Sequence, residues 1–110
     1  MVFLRKSISL LLSFLLLLIL CGCGEKSQIE KAQDKIVSIG ERFLDYELTV
    51  DEAREQLESI AIPEVEGNGE LLSVNRDYLS FLILKTKTNT ATFEEIQNEI
   101  DYIRKRNYQE

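Results

Sequence analysis

Two thiols and a surplus of carboxylates are the side chains in this chain with chemistry to offer. Cys21 and Cys23 are the only cysteines among 110 residues, and histidine is absent. A thiolate is a good nucleophile, so either cysteine could accept an alkyl or acyl group. Without histidine, nucleophile–base triads lack their usual base, and zinc or di-iron sites in helical proteins lack their usual ligand. No glycine loop precedes a basic residue in the way that phosphate binding requires. Asp51, Glu52, Glu55, Glu94, Glu95 and Glu99 fall on predicted helix starts and outer faces, where capping and solvation account for them. The expectation is a protein that is not an enzyme and needs no cofactor.

The densest acidic run is Glu64-Val65-Glu66-Gly67-Asn68-Gly69-Glu70. Glu64, Glu66, Asn68, Gly69 and Glu70 fall at positions 1, 3, 5, 6 and 7 of a twelve-residue calcium loop, and the run resembles an EF-hand loop between two helices. Two departures weigh against it. Position 1 is Glu where the shorter Asp fits, and position 12 is Asn75, which has no bidentate carboxylate. The run is therefore expected to be a solvated connector, with no metal site. A calcium-responsive module through Glu64, Glu66, Asn68 and Glu70 is the minor alternative.

The thiols have a more telling context. Arg5 and Lys6 form a basic head, and Ile8 to Leu20 follows as 13 uncharged residues. A helix crossing the hydrocarbon core needs about 20 apolar residues, whereas 13 suits the apolar region of a signal peptide. Then come Leu20, Cys21, Gly22 and Cys23 at positions −3, −2, −1 and +1 of a lipobox. On these residues the chain resembles bacterial lipoprotein precursors. The resemblance covers about the first 24 residues and implies nothing about the rest. It implies cleavage between Gly22 and Cys23 and a diacylglyceryl thioether, with palmitate-type chains, on Cys23. Cys21 departs from the usual Ala or Ser at −2, a tolerant position. An uncleaved signal anchor and an ordinary secretory signal are the competing readings. The first puts Arg5 and Lys6 inside the apolar stretch, and the second lacks a small-x-small cleavage site.

The implied division is a signal peptide at 1–22, a lipidated tether at 23–26 and a helical domain at 27–110. Losing Arg5 and Lys6 leaves 11 basic against 19 acidic residues, a net charge of −8. Such a surface repels phosphate backbones and anionic head groups, which argues against nucleic acid and electrostatic membrane binding. Cys23 would be the sole remaining cysteine and is taken by lipid, so no internal disulfide is expected. The address implied is the extracytoplasmic side of a cell membrane, by a lipid anchor.

The rest of the chain reads as helices. Ser27 and Glu30 form a capping box, and Ile29, Ala32, Ile36, Ile39 and Phe43 recur at helical spacing to about Tyr46. Gly40 interrupts this run and suggests close packing with a neighbour. Thr49 and Glu52 form a second box that opens a helix with Ala53, Leu57 and Ile60 inward, ended by Pro63. No glycine marks the turn between them, so one long helix from Ser27 to Ala61 competes. A third helix is predicted from about Glu70 to Lys85, with Leu71, Val74, Tyr78, Phe81 and Leu82 inward. After a threonine-rich connector, Thr92 and Glu95 cap a last helix with Phe93, Ile96, Ile100 and Ile103 on one face. Arg104, Lys105 and Arg106 suit its C-terminal dipole. Tyr46, Tyr78, Tyr102 and Tyr108 read as half-buried rims with wet hydroxyls.

An echo runs at an offset of 43 residues: Thr49, Glu52, Ala53, Leu57 and Ile60 map onto Thr92, Glu95, Ile96, Ile100 and Ile103. Either it is a repeat, or it is what any two capped amphipathic helices share. In both cases two αα-hairpins should close into a small antiparallel all-α bundle of about four helices, after an N-terminal signal helix. The functional expectation is a non-catalytic interaction module that binds another envelope protein. The alternative is a structural or spacer lipoprotein with no specific ligand. An apolar or aromatic patch left outside the bundle would favour the first.

Overall fold

The computed structural model describes residues 27–63 and 68–108. The predicted signal helix, Cys23 and most of the acidic run lie outside them. The described residues form a small all-α bundle: α1 (Gln28–Leu44), α2 (Val50–Glu58), α3 (Gly69–Lys85), a 3-10 turn (Thr86–Thr88) and α4 (Phe93–Lys105).

Local chemistry sets each start. The Ser27 and Thr92 hydroxyls accept the amides of Glu30 and Glu95. At Thr49 the box is reciprocal, with Glu52 accepting the Thr49 amide. Leu48 and Ala53 occupy the positions flanking this cap where a hydrophobic staple forms, and both are buried.

The chain between Ser27 and Ala61 is two helices. α1 stops at Leu44 and Tyr46 takes the left-handed conformation at φ 63°. The Glu47 amide donates to the Arg42 carbonyl and the Tyr46 amide to that of Phe43, a Schellman motif. Asn89 repeats this at φ 56°, with Thr90 donating to Lys85 and Asn89 to Thr86. Asparagine tolerates that conformation and tyrosine does not, at a cost of about 1–2 kcal/mol. The Tyr46 ring lies 5.5 Å from that of Phe93, a contact that offsets part of the strain.

The two turns are themselves 43 residues apart, and the correspondence extends through the packing. Ile29, Ile36, Ile39, Gly40, Ala53 and Leu57 are buried, and so are Leu72, Leu79, Leu82, Ile83, Ile96 and Ile100 at the shifted positions. Gln33 donates to the Ile103 carbonyl at 2.6 Å, and Arg76, its counterpart, donates to the Ile60 carbonyl at 3.1 Å. Each side chain thus reaches carbonyls at the C-terminal end of a helix in the other hairpin, where the helix cannot satisfy them itself. The echo is a structural repeat with pseudo-two-fold contacts, beyond what shared capping boxes require.

The hairpins interleave: α1 lies antiparallel to α4, and α2 to α3. Gly40 sits where α1 and α4 approach. A Cβ there would stand 2.7 Å from Ile100 Cδ1 and 2.8 Å from its Cγ1, so any side chain at this position forces the buried Ile100 to shift. The core also takes in Ile103, Leu48, Ala91 and Tyr108.

Candidate functional site

α3 departs from the sequence expectation. Leu72, Leu79, Leu82 and Ile83 face the core, and Leu71, half-buried at its edge, packs against it as expected. Val74, Tyr78 and Phe81, expected inward, are 57%, 50% and 51% exposed. α3 has two apolar stripes, and periodicity alone cannot say which is buried. The repeat could have decided it, because the inward face of α1, shifted by 43, gives the observed one. At the positions matching Leu71, Val74, Tyr78 and Phe81, α1 carries Gln28, Lys31, Lys35 and Ser38, all exposed. The fold therefore does not require an apolar surface there.

The stripe steps by three, four and three residues along one side of the helix, the spacing of a seam that meets another helix. Lys85 extends it, with its ammonium 5.3 Å from the Phe81 ring centroid. No carboxylate lies among its members. Such a surface can bury apolar area against a partner, and three half-exposed side chains, two of them aromatic, are its anchors.

The titratable groups are scattered by comparison. Lys87 donates to Asp51 at 2.8 Å, and this hydrogen bond, with the lysine charge, holds the Asp51 carboxyl below its ordinary range. Glu52 serves the Thr49 cap, and Glu94 and Glu95 lie in the first turn of α4. Arg104 pairs with Glu41 and Asp101, and Arg106 lies over the Tyr102 and Tyr108 rings, so only part of the basic C-terminal run serves the helix dipole. A shallow groove of about 500 Å³ runs beside α1, lined by Gln33, Asp34, Glu41, Arg42, Asp45 and Arg104 among others. Its charges are used in ion pairs such as Glu41–Arg104 and Arg42–Glu47.

Glu99 does not sit on a fully solvated face. It is half-buried, and burial raises its carboxyl above the ordinary value. The folded state therefore holds this proton to higher pH than the unfolded chain does. The contribution to stability is full in acid and is lost as pH rises through the carboxylate range and past the raised value. Asp51 acts in the opposite sense, losing its contribution as pH falls. We expect Glu99→Gln to stabilise the domain slightly at neutral pH, by about 0.5 kcal/mol or less, with the gap closing in acid. Thermal melts of both proteins across pH check this, and a gap that widens in acid contradicts it.

Among the described members of the acidic run, Asn68 donates its amide to the Tyr108 carbonyl at 2.7 Å and Glu70 is exposed at the start of α3. Asn75 is engaged by Tyr108, its side-chain amide donating to the phenol at 2.5 Å. Glu64 and Glu66, like Gly22 and Cys23, lie outside the described residues. Among the described residues no cluster of three or more acidic, histidine or cysteine side chains could hold a metal ion. No described helix is long and apolar enough to cross a membrane. Comparison with protein-family models, curated proteins and solved structures returns no match.

Proposed function

We propose that this chain is the precursor of a bacterial lipoprotein, held through lipidated Cys23 on the extracytoplasmic side of the cell membrane. Its helical domain is a non-catalytic module that binds another envelope protein. The anchor reading is supported by the basic head, the 13-residue apolar run and the Leu20–Cys23 motif. The binding reading is carried by the exposed face of α3, which a spacer with a uniformly charged surface would not present.

The anchor is tested directly. Mature protein should partition with membranes, carry palmitate-type chains and begin at a modified Cys23. Two acyl chains anchor stably where one is marginal, at about 0.8 kcal/mol per buried methylene. Cys23→Ala should accumulate as an uncleaved precursor. Mass spectrometry that finds a free Cys23 thiol, or a mature chain starting elsewhere, overturns the anchor.

A further inference from the structure

We infer that the apolar face of α3 pairs with the same face of a second copy of this chain, the two helices running antiparallel about a two-fold axis between Val74 and Tyr78. The inference rests on the binding role proposed above for this face and makes its partner a second copy of the chain in place of a different protein.

The spacing of the stripe asks for a helix with a matching stripe. α3 itself presents one. In the antiparallel register that overlaps all four residues, Leu71 faces Phe81 of the second copy and Val74 faces Tyr78. Each contact sets an aliphatic side chain against an aromatic one, which fills space better than equal layers do. A parallel pair would instead stack like on like and bring two Lys85 ammonium groups together.

The charges favour the same register. Glu70 lies in the first turn of α3 and Lys85 in the last. Antiparallel pairing brings Lys85 of one copy beside Glu70 of the other and opposes the two helix dipoles. Asp77 flanks the axis, but each copy already holds it with Arg76 at 3.0 Å. Two ion pairs meet there rather than two bare carboxylates. The net charge of −8 left after loss of Arg5 and Lys6 opposes association, yet none of the four stripe residues is a carboxylate, and that repulsion is screened beyond about 10 Å at 0.1 M salt.

Four side chains per copy are fewer than the 20–30 residues on each side of a standard interface, so the pair is weak in dilute solution. A shared membrane supplies the local concentration that favours it.

The test uses the full chain in its membrane. Val74 and Tyr78 are exposed, so Val74→Cys and Tyr78→Cys leave the core alone. The two variants, tagged to differ in size, are co-produced and mildly oxidised. A disulfide needs Cα atoms within about 7 Å, so 74–78 linkage should exceed 74–74 and 78–78 linkage at least about fivefold. Phe81→Asp should remove it. The chain without an added cysteine reports any linkage through Cys21 or Cys23. Dominant 74–74 and 78–78 products overturn the antiparallel pair. Linkage to a different protein alone overturns self-pairing and leaves the binding face standing. Absence of any linkage also overturns self-pairing, and the binding face falls with it only if crosslinking from Tyr78 is silent too.

Discussion

Ile100→Asp is expected to abolish the folded domain. Ile100 is 0% exposed and fills the space that Gly40 leaves open. The substitution removes a buried aliphatic side chain, at about 2–5 kcal/mol, and places a carboxylate where no cation waits. Domains of this size hold only about 5–15 kcal/mol in total. Far-ultraviolet circular dichroism should show loss of helix and of a cooperative melt. Glu99→Ala, one residue earlier, should change stability by only about 0.5 kcal/mol. Comparable losses from both would show that α4 buries a different face.

Tyr108→Ala is expected to cost about 3–5 kcal/mol, the range for deleting a buried aromatic side chain. Tyr108 is 0% exposed, receives the Asn75 amide on its phenol and has its carbonyl bonded by the Asn68 amide. It ties the chain after α4 to the start of α3. Tyr108→Phe keeps the ring and loses only the Asn75 bond, at about 1 kcal/mol. Urea unfolding separates the two. Equal effects from Ala and Phe would show that the ring packs against little.

Burial also pushes the Tyr108 hydroxyl above the usual phenol range, with the Asn75 bond acting in the other direction. Nothing in the sequence marks this role. Tyr108 follows the last amphipathic run, where a side chain has no periodic neighbours to mark its face. The four tyrosines do not share one setting: Tyr78 and Tyr102 are half exposed as expected, but Tyr46 is 83% exposed and Tyr108 is core.

What periodicity and caps could say about the fold was sound. Helix type, the break before Thr49, the start at Thr92 and most of the inward sets of α1, α2 and α4 follow from local rules that tertiary packing reinforces, but Phe93, expected inward, is 36% exposed at the start of α4, and Ile60 lies past the end of α2 and is half-buried. Ile29, Ile36 and Ile39 have no apolar competitor on the far side of their helix, so their face was unambiguous. α3 was not, because Val74, Tyr78 and Phe81 make a second apolar stripe beside that of Leu72, Leu79 and Ile83. A rule that sends apolar residues inward cannot recognise an apolar face kept for a partner. The candidate site was therefore hidden as supposed core. The long-range bonds of Gln33 and Arg76 were equally hidden, since a polar residue on a helix gives no sign of which distant carbonyl it meets.

On the proposed function the α3 face meets another protein. The most direct measurement places a photo-crosslinking residue at Tyr78 in intact cells, with the same residue at Lys35 as control. Lys35 is the counterpart on α1, exposed in the same helical setting but on a polar face. A discrete adduct is expected from position 78, whether to a second copy or to another envelope protein, and none from position 35. No adduct from 78, or equal adducts from both positions, would contradict it.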